Sequence, residues 1–80
     1  MILREDGSYL VSGSMAVDEF AEHMGVRLPD DREFETVAGL VLDHLGHIPR
    51  LGEKLAVQSI EIEVLDLDGF RIDKILVRQV

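Results

Sequence analysis

Residues 60–80 read Ile60-Glu61-Ile62-Glu63-Val64-Leu65-Asp66-Leu67-Asp68-Gly69-Phe70-Arg71-Ile72-Asp73-Lys74-Ile75-Leu76-Val77-Arg78-Gln79-Val80. Apolar and polar residues alternate on both sides of Asp68-Gly69, a dipeptide that readily supplies the positive φ of a tight turn. The stretch predicts two antiparallel strands, Ile60 to Leu67 and Phe70 to Val80, joined at Asp68-Gly69. That register sets Leu67 against Phe70, Asp66 against Arg71, Leu65 against Ile72, Glu63 against Lys74, Ile62 against Ile75 and Ile60 against Val77. Opposite charges and apolar partners then meet across the ladder, and a slip by one residue would spoil several matches together.

The expected apolar pairs near the turn lie on one face of the hairpin, while those further down lie on the other. A bulge near Asp73-Lys74 or strong twist would bring both sets to one core, which is the preferred reading because bulges reset alternation. In the alternative, Leu65, Leu67, Phe70 and Ile72 form an interface at the hairpin tip, through which the chain would form a homodimer.

Working back along the chain, Leu55 to Ser59 reads as the start of a further strand. Thr36 offers a hydroxyl to cap a helix over Val37 to Leu45, and Gly46 supplies its stop. Apolar on more than one side, this helix is expected to be the more buried of two. Val26 to Glu35, with Pro29 and Asp30-Asp31, reads as a loop. Before it, Val17, Phe20, Ala21 and Met24 recur at helical spacing, with Asp18 and Glu19 near the positive helix end and Gly25 as a left-handed close. Ile2 to Glu5 and Tyr9 to Ser12 flank Asp6-Gly7 as extended segments. The fold class is α+β: two short helices packed on a mainly antiparallel sheet with a closing C-terminal hairpin, in a single domain over residues 1–80.

Eighty residues close one modest core, burying roughly 60 to 65% of the unfolded chain's surface. With 46% apolar residues the chain folds unaided despite 30% charged content. Sixteen acidic against eight basic residues give a formal charge of −8, a field that repels nucleic-acid backbones and anionic lipid surfaces. No apolar run approaches the roughly 20 residues of a membrane span, and the acidic N-terminal segment is no signal peptide. The absence of cysteine removes disulfides, thiolate metal sites and cysteine nucleophiles, and fits a reducing cytoplasm.

Several side chains bear on chemistry. Asp30, Asp31 and Glu33 are close enough to share a hard cation, although the loop lacks calcium-loop spacing and reads more simply as a solvated acidic turn. Glu61 and Glu63 share a strand face, with Lys74 the expected partner of Glu63. His44 and His47 stand three apart with Gly46 between them, which favours surface or capping roles over metal ligation. His23 sits on the polar face of the first helix. Ser8, Ser12, Ser14 and Ser59 have no nucleophile elbow or adjacent base. Thr36 and Gly39 could present a helix N-terminus to a phosphate, but no Walker or dinucleotide fingerprint surrounds them. Gly39 costs a helix about 1 kcal/mol relative to alanine, so it marks close approach by backbone or ligand, with packing preferred.

Taken in order, Asp6-Gly7 with Val11-Ser12-Gly13, Met24-Gly25, Thr36-Val37-Ala38-Gly39-Leu40-Val41-Leu42, Leu45-Gly46-His47-Ile48-Pro49, Gly52-Glu53 and Asp68-Gly69-Phe70-Arg71-Ile72 resemble the CorC/HlyC transporter-associated domain family over almost the whole chain. The resemblance implies a non-catalytic accessory or regulatory domain of a hemolysin-like or magnesium and cobalt efflux protein. It also implies partners in a membrane region and paired CBS modules, and a place on the cytoplasmic side of the inner membrane. The family is grouped with flavin-binding folds, so FAD is possible by resemblance alone, and a module binding FAD or another adenine nucleotide is the alternative function. No residue independently supports FAD here, and none is required as a cofactor.

Overall fold

The computed structural model describes residues 1–80. Five strands and two helices follow the chain as β1 (Ile2–Leu3), β2 (Tyr9–Ser12), α1 (Val17–Met24), α2 (Val37–Leu45), β3 (Lys54–Val57), β4 (Ile60–Asp68) and β5 (Arg71–Gln79). The strands form one sheet in the order β1-β2-β5-β4-β3, and every pairing is antiparallel. Both helices pack on one sheet face. Phe20 and Met24 of α1 and Leu40 and Val41 of α2 meet Val11, Ile62, Ile75 and Val77 in a single core. The opposite face is polar apart from residues such as Leu10 and Leu76, as expected of an antiparallel sheet with one solvated side.

Local chemistry explains the helices. Thr36 Oγ1 accepts from the Gly39 amide at 3.2 Å, capping α2, and Gly46 closes it at φ 73 with its amide 2.8 Å from the Leu42 carbonyl. Gly25 closes α1 in the same left-handed conformation, at φ 72. As expected, α2 is the more covered helix, with only Asp43 and His44 exposed against four residues of α1. Val17, Phe20, Ala21 and Met24 of α1 are buried, as are Val37, Leu40 and Val41 of α2, with Leu42 and Leu45 half-buried. One sheet face can cover only one side of a helix, so the second apolar flank of α2 stays partly open.

The closing hairpin is present, but its register differs by two residues from that expected. Ile62 pairs with Val77, Val64 with Ile75, Leu67 with Ile72 and Asp68 with Arg71. The turn residues are therefore Gly69-Phe70, with Gly69 at φ 65 in the first central position. A slip by two keeps every side chain on its face, so apolar matching does not distinguish the two registers. The ends decide it: glycine occupies the position needing positive φ, and Arg71 pairs with Asp68 at 3.0 Å. The expected Glu63–Lys74 and Asp66–Arg71 pairings are replaced. Lys74 stands opposite Asp66, and Glu63 stands between Lys54 and Leu76.

The bulge expected near Asp73-Lys74 is present, with a second one facing it. Leu65 of β4 and Asp73 of β5 are skipped in the pairing, between Val64 and Leu67 on one strand and between Ile72 and Lys74 on the other. Each resets the alternation, so Ile72 and Ile75 both reach the core, 1% and 0% exposed. The Asp73 carbonyl freed by its bulge accepts the Gly13 amide at 2.8 Å.

Gln58, in the β3–β4 turn, is the one non-glycine residue at positive φ, 54°. Its side-chain amide accepts from the Arg27 amide at 2.9 Å and donates to the Arg27 carbonyl at 2.7 Å. These two bonds offset the backbone strain and tie the end of α1 to the far end of the sheet.

Candidate functional site

The N-terminus of α2 is the centre of the expected phosphate or nucleotide site. It borders a shallow hollow of about 490 Å³ whose walls include Gly13, Ser14, Thr36, Gly39, Arg71 and Asp73. The first-turn amides are all engaged by the protein. Val37 donates to the Met15 carbonyl at 3.0 Å, Ala38 to the Gly13 carbonyl at 2.9 Å, Gly39 to Thr36 Oγ1 and Leu40 to the Thr36 carbonyl at 3.0 Å. A phosphate would have to displace these bonds, since anion binding at a helix end depends on free amides. Thr36 and Gly39 are therefore accounted for by folding.

Gly39 shows the same thing sterically. A Cβ there would lie 2.6 Å from Phe34 Cβ, so Phe34, rather than a ligand, occupies the space that glycine leaves. This gives a prediction of sign. Propensity alone would make Gly39→Ala stabilising by about 1 kcal/mol, whereas the contact makes it destabilising by roughly 1 to 2 kcal/mol. Chemical denaturation checks it, and Phe34→Gly in the Gly39→Ala background should recover part of the loss.

The acidic loop does not gather its carboxylates. Asp30 and Asp31 are exposed turn residues, and no three potential ligand side chains anywhere in the chain converge as a metal set. Arg32, in the same loop, pairs with Asp18 of α1 and donates to the Pro29 carbonyl at 3.3 Å. The histidines are separated as well. His44 Nδ1 lies 3.2 Å from the Leu40 carbonyl, His47 turns towards Glu53, and His23 stacks edge-on against Tyr9 with ring centroids 5.3 Å apart.

The four residues assigned to a tip interface are split by the bulges. Ile72 is core, and Leu67 packs against the core as a half-buried residue. Only Leu65, 37% exposed, and Phe70, 79% exposed, remain on the surface. The bulge at Asp73 turns Ile72 inward, where the unbulged ladder would have aligned it with the tip.

Two polar clusters were not singled out from sequence. In the β1–β2 loop, Asp6 Oδ1 accepts both the Ser8 amide at 3.0 Å and the Ser8 hydroxyl at 2.5 Å, and Ser8 is fully buried. Asp-x-Ser in a turn is the signal that could have found it. The Ser8 hydroxyl and amide, assisted by Arg4 and Arg78, lower the Asp6 carboxyl to about 2. A carboxyl depressed in the folded state stabilises above its unfolded value of 3.8 and loses that contribution as pH falls towards 2. Urea midpoints of the wild type should therefore drop between about pH 4 and 2, and Asp6→Asn should lower stability at neutral pH and flatten that part of the profile. The second cluster joins His47, Arg50 and Glu53 after α2.

Comparison with known proteins places this geometry. Residues 3–80 match the CorC_HlyC family model, described as a transporter associated domain. The chain belongs to the CorC_HlyC transporter-associated domain family. A UPF0053 protein of Synechocystis sp. is 42% identical over 82 residues, a match covering 99% of this chain and 18% of that protein. A polyamine export protein of Haemophilus influenzae is 28% identical over 78 residues, covering 96% of this chain and 18% of that protein. The CorC_HlyC domain of a Xylella fastidiosa hemolysin, described in complex with Mg++ and Mn++, superposes with a TM-score of 0.89. It is 38% identical, and the superposition covers all of this chain and 96% of that one. The CorC_HlyC chain thus spans less than a fifth of the length of these curated relatives. No helix in it is long and apolar enough to cross a membrane.

Proposed function

We propose that this CorC_HlyC domain is a non-catalytic accessory part of a larger membrane ion-transport protein, working through contact with neighbouring regions on the cytoplasmic side. A membrane region and paired CBS modules are the partners in this reading. The observation that carries it is the family match over residues 3–80 in a chain spanning less than a fifth of its curated relatives. Its polar side chains support it, since those that meet hold turns together: Asp6 with Ser8, Glu53 with His47, and Arg71 with Asp68. A formal charge of −8 favours cations near the domain, in keeping with magnesium or cobalt as cargo of the whole protein.

Deleting the domain from the full-length transporter tests this directly. Transport or its regulation is expected to change, while the isolated domain shows no turnover. Unchanged transport would remove the coupling role.

A second reading, divalent cation binding, is favoured by the Mg++ and Mn++ complex of the Xylella relative. Asp30 and Asp31 are the residues to test. Magnesium or manganese should raise the melting temperature, and the shift should vanish in Asp30→Asn/Asp31→Asn. A shift that survives the double substitution places the ion elsewhere.

A further inference from the structure

The segment between α2 and β3 folds around two side chains. His47 Nδ1 lies 3.0 Å from the Leu45 carbonyl oxygen, and Nε2 lies 2.7 Å from Glu53 Oε2. The other carboxylate oxygen of Glu53 accepts the Arg50 amide at 3.0 Å, and the Glu53 amide returns to the Arg50 carbonyl at 3.1 Å. This turn has Gly52 at φ 82 and is fastened to β4: Gly52 donates to the Val64 carbonyl at 2.7 Å, and Val64 donates to the Glu53 carbonyl at 2.9 Å. Pro49 is buried, while Ile48 and Leu51 stand 52% and 63% exposed on the same turn.

Both partners of the His47 ring are pure acceptors. A neutral imidazole carries one N–H and one lone pair, so either neutral tautomer sets a lone pair against the Leu45 carbonyl or against the carboxylate. Only the doubly protonated ring donates to both. The ring faces the carbonyl end of α2 on one side and Glu53 on the other. Asp43 and His44 on the last turn of α2, Arg50 in the turn, Lys54 on β3 and Glu63 opposite it on β4 are the other charged or titratable groups of the segments joined here. The His44 ring is bonded back to the Leu40 carbonyl, and the Arg50 charge adds a small lowering effect on the Glu53 carboxyl.

We propose that Gly46 to Glu53 is a proton-operated latch. The doubly protonated His47 ring ties the end of α2 to Glu53 and fixes the turn that displays Ile48 and Leu51, and loss of one ring proton releases one of the two ties. On the acid side, the Arg50 amide and the His47 ring hold the Glu53 carboxyl below its ordinary value of 4.5. That tie therefore persists above the unfolded value and is lost as pH falls through the lower, folded one. The latch is complete between protonation of Glu53 and deprotonation of His47.

Ring nitrogen NMR together with amide exchange tests this in the domain, followed between about pH 5 and 8, where histidine changes charge. Both His47 ring nitrogens should be protonated at the lower end. As one proton leaves, protection factors of the Arg50 and Gly52 amides should fall about two- to fivefold, the range of an exposed ion pair. His47→Gln should hold those factors low and independent of pH, and Glu53→Gln should do the same for Arg50. A ring singly protonated throughout with the amides equally protected, or an unchanged pH dependence in His47→Gln, would overturn the latch.

Discussion

Gly13→Ala is expected to destabilise the domain by about 3 kcal/mol or more, lowering the melting temperature by roughly 12 to 24 °C. A Cβ at this position would stand 2.0 Å from the Ile72 carbonyl oxygen and 3.4 Å from Ala38 Cβ. The obstacle is backbone, so no rotamer change removes it. Gly13 also donates to the Asp73 carbonyl and accepts from Ala38, joining the end of β2 to the β5 bulge and the start of α2. Its φ is not positive, so the requirement is for space rather than for a left-handed backbone. Thermal unfolding followed by circular dichroism gives the answer. A melting temperature within about 4 °C of the wild type would mean the bulge moves aside at little cost.

Phe20→Ala should cost about 3 to 5 kcal/mol. Phe20 is fully buried where α1 meets the sheet, among the largest side chains of the core. A domain of this length has on the order of 4 to 12 kcal/mol in total, so the loss removes between about a quarter and all of it. The urea midpoint should fall steeply, and Phe20→Leu, which keeps most of the volume, should lose much less. Similar midpoints for the two variants would indicate that the core collapses around the missing ring.

Much of the fold is legible because its signals are short. The cap at Thr36, the left-handed closures at Gly25 and Gly46 and the 3.6-residue period through Phe20 all act within one or two helical turns. The candidate site was less legible. Thr36 has one reading as a cap and another as a phosphate contact, and only the donors of Val37, Ala38 and Gly39 decide between them. Gly39 is noticeable as a glycine within a helix, but its reason, Phe34, lies on the loop that precedes the helix. Gln58 binds Arg27 from 31 residues away, and nothing local in either residue announces it.

The hairpin shows where the two kinds of information part. Composition and periodicity by themselves determine that Ile60 to Val80 forms a ribbon and that two amphipathic helices cover a sheet, but not whether Leu67 and Ile72 belong to the core or to the hairpin tip. Those features depend on neighbours along the chain, and alternation assigns each side chain to a face. Alternation has a period of two, so it is unchanged by a slip of two residues; the choice between those registers came from Gly69 in the turn and Asp68 beside Arg71. Which residues bulge, which carbonyl Gly13 must approach, and how His47 finds Glu53 are decided only when distant segments share one space. There packing and unsatisfied donors select among arrangements that are equal in local energy.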